Sequence, residues 1–233
     1  MTLGILQADH VRAELSPLFG EYTDMFVSLF RKAGAAFQYR IYDLTKGNFP
    51  ATPQACDAFL LTGSFHSAYE DVPWIRKLLE FTRECDIFRK KFIGVCFGHQ
   101  VIGQALGGRV ERSGKGWGVG LKATAIKSVK EWMQPAMAEM ALLYSHQDQV
   151  VELPAGAESI GGNDHCENAL IGVKNHMLGI QGHPEFCAAY IKAIMDFRVN
   201  LIGRERYEEA VASLERPVDS ETMGRWMVNF LSR

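Results

Sequence analysis

The sequence predicts an α/β fold with a mainly parallel, open sheet, helices on both of its faces and a small section of antiparallel strands. Segments with strand and helix patterns alternate along most of the chain, which indicates parallel strands joined by helices and covered on both faces. One apolar strand, residues 91–95, leads directly into a glycine-flanked cysteine with a helix behind it. The middle of the chain differs, because its glycine-rich turns and alternating segments are typical of antiparallel strands.

The first half of the chain supplies the elements of the parallel sheet in order. Strands are predicted at residues 3–7, 37–42, 58–62 and 91–95. Helical periodicity covers residues 21–33 and 73–89, between successive strands. A further helix is expected over residues 100–106, where Gly107 and Gly108 stop it.

The second half contains the antiparallel section and then returns to strand and helix. Antiparallel strands are predicted at residues 121–129, 150–153 and 157–161, a parallel strand at 177–180 and a helix at 188–201. The preceding glycine run, residues 114–120, resembles a phosphate-binding loop only weakly, because it lacks the Lys-Ser or Lys-Thr ending and a strand-to-helix setting.

The C-terminal stretch, residues 205–233, shows two short amphipathic helices. We expect them to pack on the rest of the chain, so that residues 1–233 form one domain; a partner-binding surface is the alternative. No internal repeat or linker separates the segments.

Composition excludes several classes of protein. The 233 residues are 47% hydrophobic and 22% charged, enough for one sizeable core and unlike a disordered chain. A formal net charge of -2 offers no basic surface for nucleic acid or membrane. Five cysteines without metal-ligand spacing suit a reducing compartment. We therefore expect a cytoplasmic protein without a metal or other cofactor and with no basic leader at its N-terminus.

Cys96 is the first candidate for a chemical role. It follows an apolar strand and precedes a helix, so its side chain is expected at the carboxyl end of the strand, where helix N–H groups favour the thiolate. Gly94 and Gly98 permit a sharp turn and a close approach of substrate. A buried structural cysteine is the alternative for this residue alone.

A nucleophilic cysteine needs a base and a group that orients it, and the chain supplies both. His183 follows the predicted strand at residues 177–180, and Glu185 lies two residues further on. Carboxyl ends of parallel strands share one edge of a sheet, so His183 is expected near Cys96. Pro184 delays the start of the next helix, which lets both side chains face one cleft; an ordinary strand-to-helix turn is the alternative.

These segments, Gly94-Val95-Cys96-Phe97-Gly98-His99-Gln100 and Gly182-His183-Pro184-Glu185, resemble the class I (triad) glutamine amidotransferases. Leu60-Leu61-Thr62-Gly63-Ser64 and Tyr144-Ser145-His146-Gln147-Asp148 match two further motifs of that family, in the same order. The resemblance covers residues 40–190. It is closest to stand-alone members such as the plant γ-glutamyl peptidases and to the glutaminase domain of GMP synthetase.

The resemblance implies a flavodoxin-like sheet and a role for each matched residue. Cys96, His183 and Glu185 would be the catalytic triad, and the backbone N–H groups of Gly63 and Phe97 would form the oxyanion hole. The residues implied for binding the substrate are Gln100, Ser145, Gln147 and Asp148. Gln147 replaces the family's common glycine and His99 a usually small or apolar residue, which suggests a more polar pocket.

Three hypotheses for the function follow. The first is hydrolysis of the γ-amide of glutamine, or of a γ-glutamyl compound, through a γ-glutamyl thioester that releases glutamate and ammonia or an amine. The second is a glutaminase subunit that supplies ammonia to a separate synthetase, such as one that makes GMP. The third is a non-catalytic module whose Cys96 senses redox state.

Overall fold

A nine-stranded sheet with the order β2-β1-β3-β4-β11-β10-β9-β6-β7 runs through the computed structural model, which describes residues 1–233. The strands are β1 (Thr2–Gln7), β2 (Gln38–Asp43), β3 (Ala58–Leu61), β4 (Lys91–Val95), β5 (Arg109–Arg112), β6 (Gly118–Ile126), β7 (Glu139–His146), β8 (Asp148–Glu152), β9 (Ala157–Gly162), β10 (Leu170–Val173) and β11 (Met177–Ile180). From β2 to β11 neighbouring strands are parallel, whereas β10, β9, β6 and β7 continue the sheet in antiparallel fashion. Strands β5 and β8 form a separate antiparallel pair. The predicted α/β fold class is confirmed.

Seven helices accompany the strands. They are α1 (Ser16–Phe19), α2 (Tyr22–Lys32), α3 (Pro73–Ile87), α4 (Phe97–Ala105), α5 (Ala188–Ile202), α6 (Arg204–Ser213) and α7 (Ser220–Leu231). None of them is both long and apolar enough to cross a membrane. Helices α6 and α7 are the two predicted over residues 205–233.

Alternate residues of the parallel strands face opposite layers of helices. In β3, Leu60 packs into the core that α2 and α7 share, whereas Phe59 and Leu61 pack against α3 and α4. This period of two is what a strand covered on both sides requires. Trp226 of α7 is completely buried, and its Nε1 donates a hydrogen bond to the carbonyl of Pro135 at 2.9 Å. The C-terminal helix is therefore part of the core.

The structure differs from the predicted elements in two ways. Helix α4 begins at Phe97, three residues before the predicted start, because Cys96 adopts a positive φ and occupies the N-cap. Strands β5, β7 and β10 were not predicted. Strands β5 and β10 have only four residues each. In β7 the polar end was interpreted as a family motif, and the apolar residues before it were not interpreted as a strand.

Candidate active site

Cys96 lies on a sharp turn between β4 and α4. Its φ of 53° and ψ of -102° are strained values for a residue with a side chain. Gly94 and Gly98 allow the turn: a Cβ on Gly94 would strike the carbonyl of Gly98, and a Cβ on Gly98 would strike the carbonyl of Leu61 in β3. The side chain of Cys96 therefore lies at the carboxyl edge of the sheet, where it borders two cavities.

His183 reaches the same edge from the neighbouring strand. Strands β4 and β11 are paired in parallel register with Val95 opposite Ile180, and the N–H of Cys96 donates to the carbonyl of Ile180 at 2.8 Å. Beyond β11, the N–H of His183 donates to the carbonyl of Leu143 at 2.7 Å, which ties the turn to β7. The turn that carries His183 is thus fixed on two sides.

The imidazole of His183 has a fixed orientation. Its Nδ1 lies 2.8 Å from Oε1 of Glu185, whose side chain is only 1% exposed. Since a carboxylate oxygen accepts, Nδ1 carries a hydrogen and donates it. The ring also stacks on Phe186, with ring centres 4.0 Å apart and an angle of 4° between the planes. Both contacts restrict the ring to one position.

Gly63, at the end of β3, lies beside both reactive side chains. A Cβ at this glycine would be 3.0 Å from Cε1 of His183 and 3.7 Å from Cβ of Cys96. Strands β3, β4 and β11 are consecutive in the sheet, so the three residues meet although they are far apart in sequence. The structure therefore brings together Gly63, Cys96, His183 and Glu185.

The electrostatics of the site favour a charged His183. Burial opposes the imidazolium, but the carboxylate of Glu185 and the sulfur of Cys96 outweigh it and raise the pKa of His183 to about 10. Two neighbouring imidazoles behave differently, because burial lowers the pKa values of His99 and His146 to about 3. Of these three histidines, His183 is the one whose surroundings favour the protonated form.

Two backbone N–H groups next to Cys96 have no hydrogen-bond acceptor within the protein. They belong to Gly63, which follows β3, and to Phe97, the first residue of α4. Free N–H groups at a helix N-terminus attract negative charge. The N–H groups of both predicted oxyanion donors are therefore free to bind a ligand.

The four predicted substrate-binding residues, Gln100, Ser145, Gln147 and Asp148, line one cavity with Cys96. Its volume is about 350 Å³. Gln100 Nε2 donates to the carbonyl of Asp148 at 2.8 Å and to Oε1 of Gln181 at 3.2 Å. The side-chain amide of Gln100 is thus used to hold the chain at Asp148 as well as to border the cavity.

Sequence reasoning missed several residues of this cavity. Arg112, Trp117 and Arg198 line it, and the sequence assigned a role in the site to none of them. Trp117 lies in a Gly-Trp segment that resembles one in the stand-alone γ-glutamyl peptidases, but that segment alone does not indicate a position in the site. Arg198 lies on the predicted helix at residues 188–201, but only the packing of α5 shows which way it faces. Nowhere does the structure group three or more histidine, cysteine or acidic side chains in a way that could hold a metal ion.

Comparison with known proteins identifies the family. The sequence matches the family model described as glutamine amidotransferase class-I over residues 19–193. Gamma-glutamyl peptidase 2 of Arabidopsis thaliana is 30% identical over 224 residues, which cover 92% of this chain and 89% of that protein. One component of the glutamine-hydrolyzing GMP synthase from Archaeoglobus fulgidus is 32% identical over 114 residues, or 46% of this chain and 61% of that component.

A solved structure extends the likeness to the whole fold. The crystal structure of a glutamine amidotransferase from Thermotoga maritima has a TM-score of 0.74 and covers 99% of this chain and 96% of its own, at 20% sequence identity. The family model spans most of the sequence, and the fold matches along its length. This protein belongs to the class I glutamine amidotransferase family.

Proposed function

We propose that the protein hydrolyses the γ-amide bond of glutamine or of a γ-glutamyl compound, with Cys96 as nucleophile. The observation that carries this proposal is the meeting of Cys96 with His183 at the ends of adjacent strands, with Glu185 Oε1 2.8 Å from Nδ1 of His183. This is the arrangement of nucleophile, base and orienting carboxylate that acyl transfer needs. The proposal is also supported by the sequence similarity to a gamma-glutamyl peptidase, which extends along most of the chain.

The proposed reaction has two halves. The sulfur of Cys96 attacks the γ-carbonyl carbon, and His183 gives its proton to the departing nitrogen as the C–N bond breaks. Ammonia or an amine leaves, and a γ-glutamyl thioester remains. Water, deprotonated by His183, then attacks the thioester, the C–S bond breaks, and glutamate is released.

The negative oxygen of each tetrahedral intermediate would accept hydrogen bonds from Gly63 and Phe97. A donor of this kind contributes about 3 kcal/mol to lowering the barrier in comparable sites. Gln147 and Asp148 would hold the amino-acid end of the substrate in the cavity. Because buried polar groups reject a ligand that leaves them unpaired, these contacts would select a γ-glutamyl unit.

The experiment is an assay of the isolated protein with glutamine and with a panel of γ-glutamyl amino acids, in which released glutamate is measured. We expect glutamate release that is abolished in Cys96→Ser, and a mass increase of one glutamyl group on Cys96 after rapid quenching. The matched control is Cys187→Ser, because Cys187 is an exposed thiol outside the cavities that Cys96 borders. Activity that survives in Cys96→Ser contradicts the proposal.

The partial match to a component of a GMP synthase favours a second candidate, a glutaminase that serves a separate synthetase. That function predicts very slow glutamate release by the isolated protein and a large increase when the synthetase and its nucleotide are added. Rapid, partner-independent turnover of γ-glutamyl compounds contradicts it. Loss of all turnover with no covalent intermediate would instead favour the redox-sensing alternative.

A further inference from the structure

Two arginines of the cavity at Cys96 have no acidic partner. Arg112 and Arg198 both line this cavity, whose volume is about 350 Å³. The arginines that form ion pairs in this protein are all elsewhere: Arg12, Arg76, Arg109, Arg204, Arg225 and Arg233. An unpaired guanidinium that faces a cavity beside a reactive sulfur is available to a ligand.

Arg198 is held in place by three side chains. One of its terminal nitrogens donates to Oγ of Ser145 at 3.1 Å. Its guanidinium carbon lies 5.6 Å from the ring centre of Phe65 and 5.7 Å from that of Trp117. Contact with aromatic rings restricts the orientation of a guanidinium group. The N–H donors in the plane of the group remain free to form two parallel hydrogen bonds with a carboxylate. Ser145, whose backbone the resemblance implies for substrate binding, therefore also supports Arg198 through its hydroxyl.

The position of Arg198 differs from that of Arg112. Arg198 also lines a smaller cavity, of about 30 Å³, with Cys96 and His183, so it lies where the two cavities meet at the sulfur. Arg112 lies opposite Asp148 in the β5–β8 pair and does not border the smaller cavity. The two positive charges thus occupy different parts of the site.

The larger cavity is lined by more guanidinium groups than carboxylates. Asp148 is the one carboxylate that lines the larger cavity, against two guanidinium groups. Asp9 borders the smaller cavity, but its carboxylate accepts hydrogen bonds from the backbone N–H groups of His10 and Phe65, at 2.8 Å each. The site therefore carries two guanidinium groups that form no ion pair with a carboxylate, and one of them, Arg198, borders the cavity that Cys96 and His183 also line.

Glutamine carries one ammonium and one carboxylate at its α-carbon, so Asp148 and Arg112 are enough to balance its charges, and Arg198 is then left without an anionic partner. A γ-glutamyl amino acid carries a second carboxylate, on the amine that departs. We propose that Arg198 binds this second carboxylate, so that the site prefers γ-glutamyl compounds whose leaving amine carries a carboxylate over glutamine and over uncharged γ-glutamyl amides. This inference rests on the proposed function and names the substrate class of the same site.

The test compares two substrates that differ only in the second carboxylate, γ-glutamylglycine and γ-glutamylglycinamide. For the wild-type protein we expect kcat/KM to be about 10–100-fold higher for γ-glutamylglycine, the range for a charge-assisted pair of hydrogen bonds. In Arg198→Gln the ratio of the two kcat/KM values falls to within about twofold of one, the expectation when one charged contact is removed. Arg198→Lys restores part of the ratio.

Two controls separate this role from a structural one. Arg112→Gln should lower kcat/KM for both substrates alike, because the α-carboxylate is common to them. Arg204→Gln, an exposed arginine outside both cavities, should leave both values unchanged. A wild-type ratio near one, or a ratio that Arg112→Gln removes and Arg198→Gln does not, overturns the proposal.

A binding measurement keeps this test independent of turnover. Calorimetric titration of Cys96→Ala with the same two ligands gives the ratio of their Kd values without reaction. If the wild-type protein hydrolyses neither compound, the proposed function fails, while tighter binding of γ-glutamylglycine that depends on Arg198 still supports the assignment of this residue. Equal Kd values refute the assignment whatever the activity.

Discussion

His183 is the residue whose surroundings decide the chemistry of the site. Glu185 fixes one ring nitrogen, Phe186 stacks on the ring, and the raised pKa keeps the imidazole charged when it is buried beside the sulfur. The local motifs around Cys96 and His183 were enough to predict that these two residues lie at one edge of the sheet. Arg198 could not be predicted in the same way, because its direction depends on how α5 packs against β7 and on Ser145 at the end of that strand.

Replacement of Glu185 by glutamine tests whether the charge of Glu185 raises the pKa of His183. Oε1 can still accept from Nδ1 of His183, and the amide nitrogen would replace Oε2, which has no hydrogen-bond partner now. The negative charge that raises the pKa of His183 is lost, so we expect this pKa to fall. NMR titration of labelled histidine should show the fall, with a drop in kcat of about 10²–10⁴-fold.

The same variant offers a check on stability. A pKa that is raised in the folded state contributes stability below the unfolded value of about 6.5 and loses it as pH rises through the folded value. Glu185→Gln should therefore lose unfolding free energy relative to wild type at pH 6 and less of it at pH 10. An unchanged His183 titration in Glu185→Gln would show that the carboxylate is not the source of the shift.

At the scale of elements, the site depends on how closely α4 approaches the sheet. The alternation of strand and helix and the apolar run of β4 made the parallel half predictable, because each of these elements has a clear period. Strands β5 and β10 escaped prediction because four residues are too few to show a clear period, and β7 because its polar end resembles a family motif. The start of α4 at Phe97 depends on the backbone of Cys96, which no side-chain pattern encodes.

Gly98→Ala tests the close approach of α4 to β3. The added methyl group would strike the carbonyl of Leu61, so helix and strand must separate. We expect a loss of about 1–3 kcal/mol in unfolding free energy, the usual cost of overpacking, together with a large loss of activity. Gly114→Ala is the matched control, because nothing lies within 4 Å of a Cβ at that exposed glycine.

Chemical denaturation monitored by circular dichroism gives the unfolding free energies of Gly98→Ala and Gly114→Ala. The control should stay within about 0.5 kcal/mol of wild type, as surface substitutions do. If Gly98→Ala and wild type were equally stable, α4 could shift away from β3 without cost. The sharp turn at Cys96 would then not depend on this glycine.

For the whole molecule, buried histidines couple stability to pH. His99 on α4 and His146 at the end of β7 are both buried, and burial lowers their pKa values to about 3. An unfolded chain takes up protons at these groups near pH 6.5, whereas the folded chain does so only near pH 3. The stability that they contribute is therefore complete above pH 6.5 and is lost as pH falls towards 3.

His99→Leu tests this dependence in the intact protein. With the pKa values above, each buried histidine costs about 2 kcal/mol of unfolding free energy between pH 7 and pH 5. Urea denaturation at the two pH values should show that the leucine variant loses about 2 kcal/mol less than wild type over this interval. An identical loss in both proteins would show that His99 titrates normally when folded.

The place of β11 between β4 and β10 has a consequence for the protein during its synthesis. Cys96 leaves the ribosome long before His183, which follows it by 87 residues, roughly 4 to 17 s at ordinary rates of translation. In this interval the neighbouring position in the sheet has no strand to fill it, and the thiol has no imidazole beside it. The side chains of Cys96 and His183 can therefore meet only when about four fifths of the chain has emerged.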